Sequence, residues 1–324
     1  MTNDSGGTVQ DLGEFGLIER LTAGSPESGS SGGVIVGPGD DTAVVAAADG
    51  RVAVTCDVLV EGVHFRRDWS TAVDVGRKAA AASLVDIAAM GARATSLVVG
   101  FATPGDLPAA WAVGCAAGIR EEAALVGAVL VGGDVVQAPQ VVISVTALGD
   151  LEGREPVLRS GARPGDVLAI AGRHGWSAAG LALLSRGFRS PKVLVDAHRY
   201  PQPDYAAGVR AAIAGATSMI VVSDGLIADA QHVASASGVD IDVDTRGWVI
   251  PDQMQAAASA YNVDPREWML TGGEDHALLA TFPAGTALPE GFVRTGTVHV
   301  AEGEPGVSVD GVRRTSVGGH RHFS

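Results

Sequence analysis

Two spacings of apolar residues alternate along the chain. Phe15, Ile18 and Leu21 recur at the spacing of one helical face and predict a short first helix. It lies between a polar tail, residues 1–10, and a Ser- and Gly-rich surface loop, residues 25–33. Short β-branched runs at residues 34–36, 42–46 and 52–57, separated by Gly- and Asp-rich turns, predict strands. Residues 74–90 are Ala-rich and predict a helix that stops at Gly91. A strand at 96–101, a helix at 108–126 and strands at 128–131 and 141–148 follow. Beyond residue 166 the pattern predicts strands at 167–171, 219–222, 277–282 and 293–300. Helices are predicted there at 177–186, 205–213 and 226–237.

Alternating strands and helices in both halves predict an α/β or α+β class. A chain of 324 residues exceeds one ordinary core, so two domains are expected. Residues 149–166, dense in Gly, Pro and charge, mark the boundary between domains at 1–149 and 150–324. Apolar residues make up 46% of the chain, enough to build real cores.

Charge narrows the partners. A net charge of −14 repels a polyanionic duplex, so nucleic acid is not an expected partner. The two cysteines, Cys56 and Cys115, fit neither a disulfide framework nor a zinc site. The N-terminus lacks an apolar signal core, and no apolar run approaches the roughly 20 residues that cross a bilayer. A cytoplasmic protein without a membrane partner is expected.

The candidate chemistry is a set of acidic residues at strand ends, most beside Gly. They are Asp40 and Asp41 in GPGDDTAV, Asp57 in VAVTCDVLVEGVHF, Asp86 in SLVDIAAMGA and Asp134 in VLVGGDVV. Asp224 in VVSDGL and Glu274–Asp275 in LTGGEDHALL complete it. One Gly–Asp pair alone is usually a turn. A carboxylate near a core, however, loses hydration and needs compensation. Magnesium supplies it, since that ion takes oxygen ligands shared between carboxylates and substrate phosphates. Lysine occurs only at positions 78 and 192, and no G-x-x-x-x-G-K-[ST] or kinase-type catalytic loop is present. Phosphate chemistry here would rest on metal ions and backbone amides.

In their order, GDDTAV, TCDVLVEGVHF, DIAAMGA, GGD, LRSGARPGD, SDGL and GGEDHALL closely resemble the thiamine-monophosphate kinase family, from about Gly13 to the C-terminus. That resemblance implies two domains: an N-terminal sheet domain that pairs across a homodimer, and a C-terminal α/β domain that completes the site. It implies ATP as co-substrate, several Mg²⁺ ions, and direct transfer of the γ-phosphoryl group to thiamine monophosphate. Residue by residue, it implies metal contacts at Asp40, Thr55, Cys56, Asp57, Asp86, Asp134 and Asp224. It implies nucleotide contacts at Gly133, Asp134, Arg159 and Ser223, and substrate contacts at His64, Glu274 and His320.

The chain departs from the family pattern in places. Cys56 stands where Thr is frequent, a harmless change where the ligand is the main-chain carbonyl. Val221 replaces an expected Asp and removes one magnesium ligand. His320 stands near an aromatic position expected to stack on thiamine. Other ATP-using members of the superfamily fit less well: two carry a functional cysteine near one terminus, where this chain has none, and aminoimidazole ribonucleotide synthetase lacks the close VEGVHF–GGED match. The alternative of another class is a nucleotide-binding paralogue without catalysis.

Overall fold

The structure, a computed structural model, describes residues 7–23, 33–36 and 44–314. It divides into two compact units. The first holds residues 1–87 with Arg93–Gly153, the second Ala88–Ala92 with residues 154–324.

In the first unit the elements run α1 (Val9–Thr22), β1 (Val34–Val36), β2 (Val44–Val45), β3 (Ala53–Val60), α2 (Ala72–Ala89), β4 (Arg93–Thr103), α3 (Ala109–Ala124), β5 (Val129–Gln137) and β6 (Val142–Asp150). The principal sheet has the order β3-β6-β4-β5. Alternation sends Leu59, Leu97, Val99, Ile143, Val145 and Ala147 to a buried inner face. On the outer face Val54, Val58, Val98 and Val136 are exposed by 66%, 47%, 36% and 52%, an apolar strip in need of cover.

Two differences from the sequence reading have physical causes. The polar tail is anchored from residue 7 onward: Ala109 donates to the Gly7 carbonyl, and Thr8 and Asp11 form a capping box at the start of α1. Strand β5 continues through Gly132–Gly133 to Gln137, because parallel pairing with β4 outweighs the low strand preference of Gly.

The second unit holds β7 (Val167–Ala171), α4 (Trp176–Ser185), α5 (Lys192–Arg199), α6 (Tyr205–Ile213), β8 (Ser218–Val222), α7 (Leu226–Ser237) and β9 (Val239–Val243). It continues with α8 (Asp252–Tyr261), α9 (Pro265–Thr271), β10 (Ala277–Phe282), β11 (Phe292–Val300), β12 (Val307–Val309) and β13 (Val312–Arg313). Its sheet has the order β13-β12-β9-β11-β7-β10-β8. Strand β10 lies antiparallel between β7 and β8 and is buried at every position. Leu226, Ile227, Ala230, Val233 and Ala234 of α7 pack on this sheet through Ile220, Val222, Leu279 and Ile241. Mixed α/β architecture is thus present in both halves.

Candidate active site

The first cluster lies within the first unit. Alternation along β3 turns Thr55 and Asp57 inward, toward α2. There the Thr55 hydroxyl donates to Asp86 Oδ2 at 2.8 Å. The Ser83 hydroxyl lies 2.8 Å from Asp57 Oδ2 and 2.9 Å from the Val145 carbonyl, and shares one proton between them. Thr55, Asp57 and Asp86 are therefore brought together. Ser83 is a partner that the sequence did not reveal.

Cys56 points to the opposite face, its Sγ 3.2 Å from Ser144 Oγ. Its side chain takes no part in the cluster, so any contact from this position falls to its main chain. Asp134, on β5, pairs with Gly100, which pairs with Ser144. That register sets Asp134 on the outer face and Gly133 on the inner one with Asp57. Gly133 also has a packing reason: a Cβ there would stand 2.2 Å from the Val99 carbonyl oxygen. Beside Gly133 and Asp134 lies an apolar cavity of about 50 Å³, lined by Val99, Phe101, Cys115 and Ile119. Burial pushes the Cys115 thiol up to about 12, as befits a small core residue.

His64 sits in the turn after β3. Its ring Nδ1 accepts the Val60 N–H at 3.0 Å, so a neutral ring carries its proton on Nε2. Lys78, only 3% exposed, donates from Nζ to the His64 carbonyl at 2.9 Å. One of the chain's two lysines is thereby committed to holding this turn. The other, Lys192, is 83% exposed on its side chain and faces Asp196.

The second cluster lies within the second unit, where two distant motifs meet. The Glu274 N–H donates to the Ser223 carbonyl at 2.8 Å. The approach requires glycine, since a Cβ at Gly273 would stand 2.0 Å from that carbonyl oxygen. Glu274 itself adopts φ +66°, in the left-handed region. Asp229, in the first turn of α7, accepts the N–H groups of Asp224 and Gly225 at 3.0 and 3.1 Å and so fixes the loop. Burial pushes Asp229 up to about 7, with the Asp224 charge adding to the shift, although these N–H bonds pull the other way. Burial likewise pushes Asp275 up to about 8; its Oδ1 accepts the Ser177 N–H at 2.9 Å. His198 Nδ1 lies 3.0 Å from Ser177 Oγ and 3.5 Å from Glu274 Oε2. An acid in the first turn after SDGL was the only sequence signal for Asp229. His198 and Ser177 had none.

Arg159 is elsewhere in this unit. Its carbonyl accepts from Ser237 at the far end of α7, and Met219 at the start of β8 donates to Leu158. Ser223 follows the other end of β8, five residues and roughly 16 Å away. Asp40 and His320 lie outside the described residues. Among the described residues, no group of three or more His, Cys, Asp or Glu side chains is placed to hold a metal ion by itself. No helix among them is long and apolar enough to cross a membrane.

Comparison with known proteins settles the family. Residues 39–151 match the model of the AIR synthase related protein, N-terminal domain. The chain is 50% identical over 317 residues to thiamine-monophosphate kinase of Mycobacterium tuberculosis, covering 98% of this chain and 93% of the relative. This chain belongs to the thiamine-monophosphate kinase family. Its counterpart in Corynebacterium glutamicum is 43% identical across 94% of this chain and 92% of its own. Among solved structures, AaThiL complexed with AMPPCP and TMP superposes with a TM-score of 0.79 at 31% identity, over 97% of this chain and 98% of that one. The hydrogenase maturation protein HypE shares the fold of this family member at 17% identity and a TM-score of 0.65.

Proposed function

We propose that this chain transfers the γ-phosphoryl group of ATP to the phosphate of thiamine monophosphate, giving thiamine diphosphate and ADP. The observation that supports this most is the near full-length match to AaThiL, whose structure was determined with AMPPCP and TMP. The local geometry agrees with it. Acceptor and donor both carry phosphate, so the task is to position two anions and offset their charge. An acceptor phosphate already ionised near neutral pH needs no strong general base. The two clusters supply carboxylates and a fixed loop, as that task requires.

Magnesium fits the residues present. Thr55, Asp57 and Asp86 offer hard oxygen donors on facing elements, now held by the hydroxyls of Ser83 and Thr55. Those neutral partners can give way to a cation. Asp224, Asp134, Asp40 and the Cys56 main chain complete the set we assign to metal. When bound, Mg²⁺ would supply charge neutralisation on the phosphates. The protein's own part is to hold its carboxylates in place, through Ser83 at Asp57 and through Asp229 at the Asp224 loop.

We assign Gly133, Asp134, Ser223 and Arg159 to the nucleotide. The main chain beside Arg159 and Ser223 lies at opposite ends of edge strand β8. His64, through its Nε2–H, and Glu274 are assigned to the thiamine substrate, with His320. The exposed strip of Val54, Val58, Val98 and Val136 supports a homodimer paired through this sheet. We assign the protein to the cytoplasm.

The test is a direct assay with ATP, Mg²⁺ and thiamine monophosphate, resolving thiamine phosphates by chromatography. Thiamine diphosphate should appear in proportion to ADP and stop on addition of EDTA. Tight ATP binding with no thiamine diphosphate would instead indicate a non-catalytic paralogue.

A further inference from the structure

The cluster behind Glu274 contains a serine, a histidine and two acids, yet it is no nucleophilic triad. Ser177 is 1% exposed, so its hydroxyl meets no substrate. Both Ser177 Oγ and Glu274 Oε2 approach the same ring nitrogen, Nδ1, at 3.0 and 3.5 Å. In a triad the hydroxyl and the acid take opposite nitrogens. Here the ring joins two partners on one side.

That arrangement decides where the proton sits. A carboxylate can only accept, so Nδ1 must carry hydrogen for the contact with Glu274 to be favourable. The closer Ser177 oxygen takes the better share of that N–H. Glu274 stands slightly beyond full hydrogen-bond length. Ser177 is itself fixed, because its backbone N–H donates to Asp275. Packing of α4 on α5 brings the ring in: a Cβ at Gly180 would stand 2.1 Å from the Leu194 carbonyl and 3.1 Å from His198 Cβ. The histidine is 7% exposed, whereas the Glu274 side chain remains 33% exposed. A buried ring thus faces a carboxylate that stays one-third exposed to solvent.

We propose that His198 is a positioning residue for Glu274: with Ser177 as its anchor, it holds the carboxylate in the orientation that meets the thiamine substrate. This rests on the assignment of Glu274 to that substrate. His198 itself touches neither substrate nor nucleotide. Its loss should therefore appear in one Michaelis constant and not in the other.

The experiment measures kcat and both KM values for the full chain with His198→Leu, His198→Asn, Ser177→Ala, Glu274→Ala and the double variant His198→Leu/Glu274→Ala. Losing this long polar contact, weaker than a full hydrogen bond to a charged group, should raise KM for thiamine monophosphate about fivefold in His198→Leu. The same variant should leave KM for ATP and kcat within about twofold, since binding of one substrate is what it weakens. His198→Asn, whose amide N–H takes the place of Nδ1–H, should recover most of the loss. Ser177→Ala should raise the same KM about threefold, as expected for one neutral hydrogen bond. In the Glu274→Ala background, His198→Leu should add nothing to that KM. The proposal is overturned if Glu274→Ala raises KM for thiamine monophosphate while His198→Leu and Ser177→Ala do not. It is also overturned if both KM values rise together and His198→Asn fails to rescue. Glu274→Ala without effect is a separate outcome, which removes the substrate role of Glu274 and this inference with it.

Discussion

Asp57→Asn is expected to lower kcat by about 10²- to 10³-fold, the scale on which one preorganised electrostatic contact acts in a transition state. Asp57 stands on the inner face of β3, across from Ser83 and beside the Thr55–Asp86 pair. Asparagine keeps the size of the side chain and an oxygen for the Ser83 hydroxyl. The fold should therefore survive while the negative charge is lost. Thermal melting of the variant should stay within a few degrees of the parent, and steady-state turnover should fall. A control on the same strand, Cys56→Thr, should change little, because that side chain faces Ser144 on the other side of the sheet. Turnover of Asp57→Asn close to the parent's would remove Asp57 from the charge-neutralising set.

Val221→Asp is expected to act mainly on stability, and in a metal-dependent way. Val221 is 7% exposed on β8 and pairs with Leu278 of β10. An uncompensated carboxylate there should cost about 3–5 kcal/mol. For a unit of this size, that corresponds to a drop in Tm of roughly 10 °C. The family resemblance implies Asp at this position as a magnesium ligand, two residues from Ser223 and three from Asp224. Mg²⁺ together with ATP should therefore restore most of the lost stability and tighten the magnesium titration of activity. Melting curves in EDTA, in Mg²⁺ and in Mg²⁺ with ATP decide the matter. Equal destabilisation in all three would place residue 221 outside the metal site.

Much of this was legible in the sequence, for reasons that differ by element. Strand β7 and helices α6 and α7 appear where the apolar pattern set them, since each is bounded by Gly, Pro or Asp, the helices burying one face and β7 both. Helix α8 was missed because only Met254, Ala257 and Ala258 turn to the core of a polar segment. Strand β9, VDIDV, alternates apolar and acidic residues over only five positions and was missed; folding pairs its Asp240 with Arg313 and its Asp242 with the Gly311 N–H. Asp57 and Asp134 fall inside β3 and β5 and Asp86 inside α2 rather than at strand ends, since pairing and helix pattern continue past them. These acids beside apolar runs were visible because charge there is costly and invites a reason. The residues that hold those acids were not. Ser83 lies 26 residues from Asp57, and Ser177 lies 98 from Asp275, so only folding makes them neighbours. The separation of Arg159 from Ser223 is equally a property of β8 and α7, since no sequence pattern records which end of a strand a loop returns to.

One measurement bears most directly on the claim that these carboxylates hold metal against the phosphates of a nucleotide. It is a crystal structure of the full chain with a non-hydrolysable ATP analogue, thiamine monophosphate and Mn²⁺ in place of Mg²⁺, with anomalous difference maps recorded. Anomalous peaks are expected within ligand distance of Asp57, Asp86 and Asp224, each shared with a phosphate oxygen. Nucleotide bound in full with those three side chains turned away from every peak would contradict it.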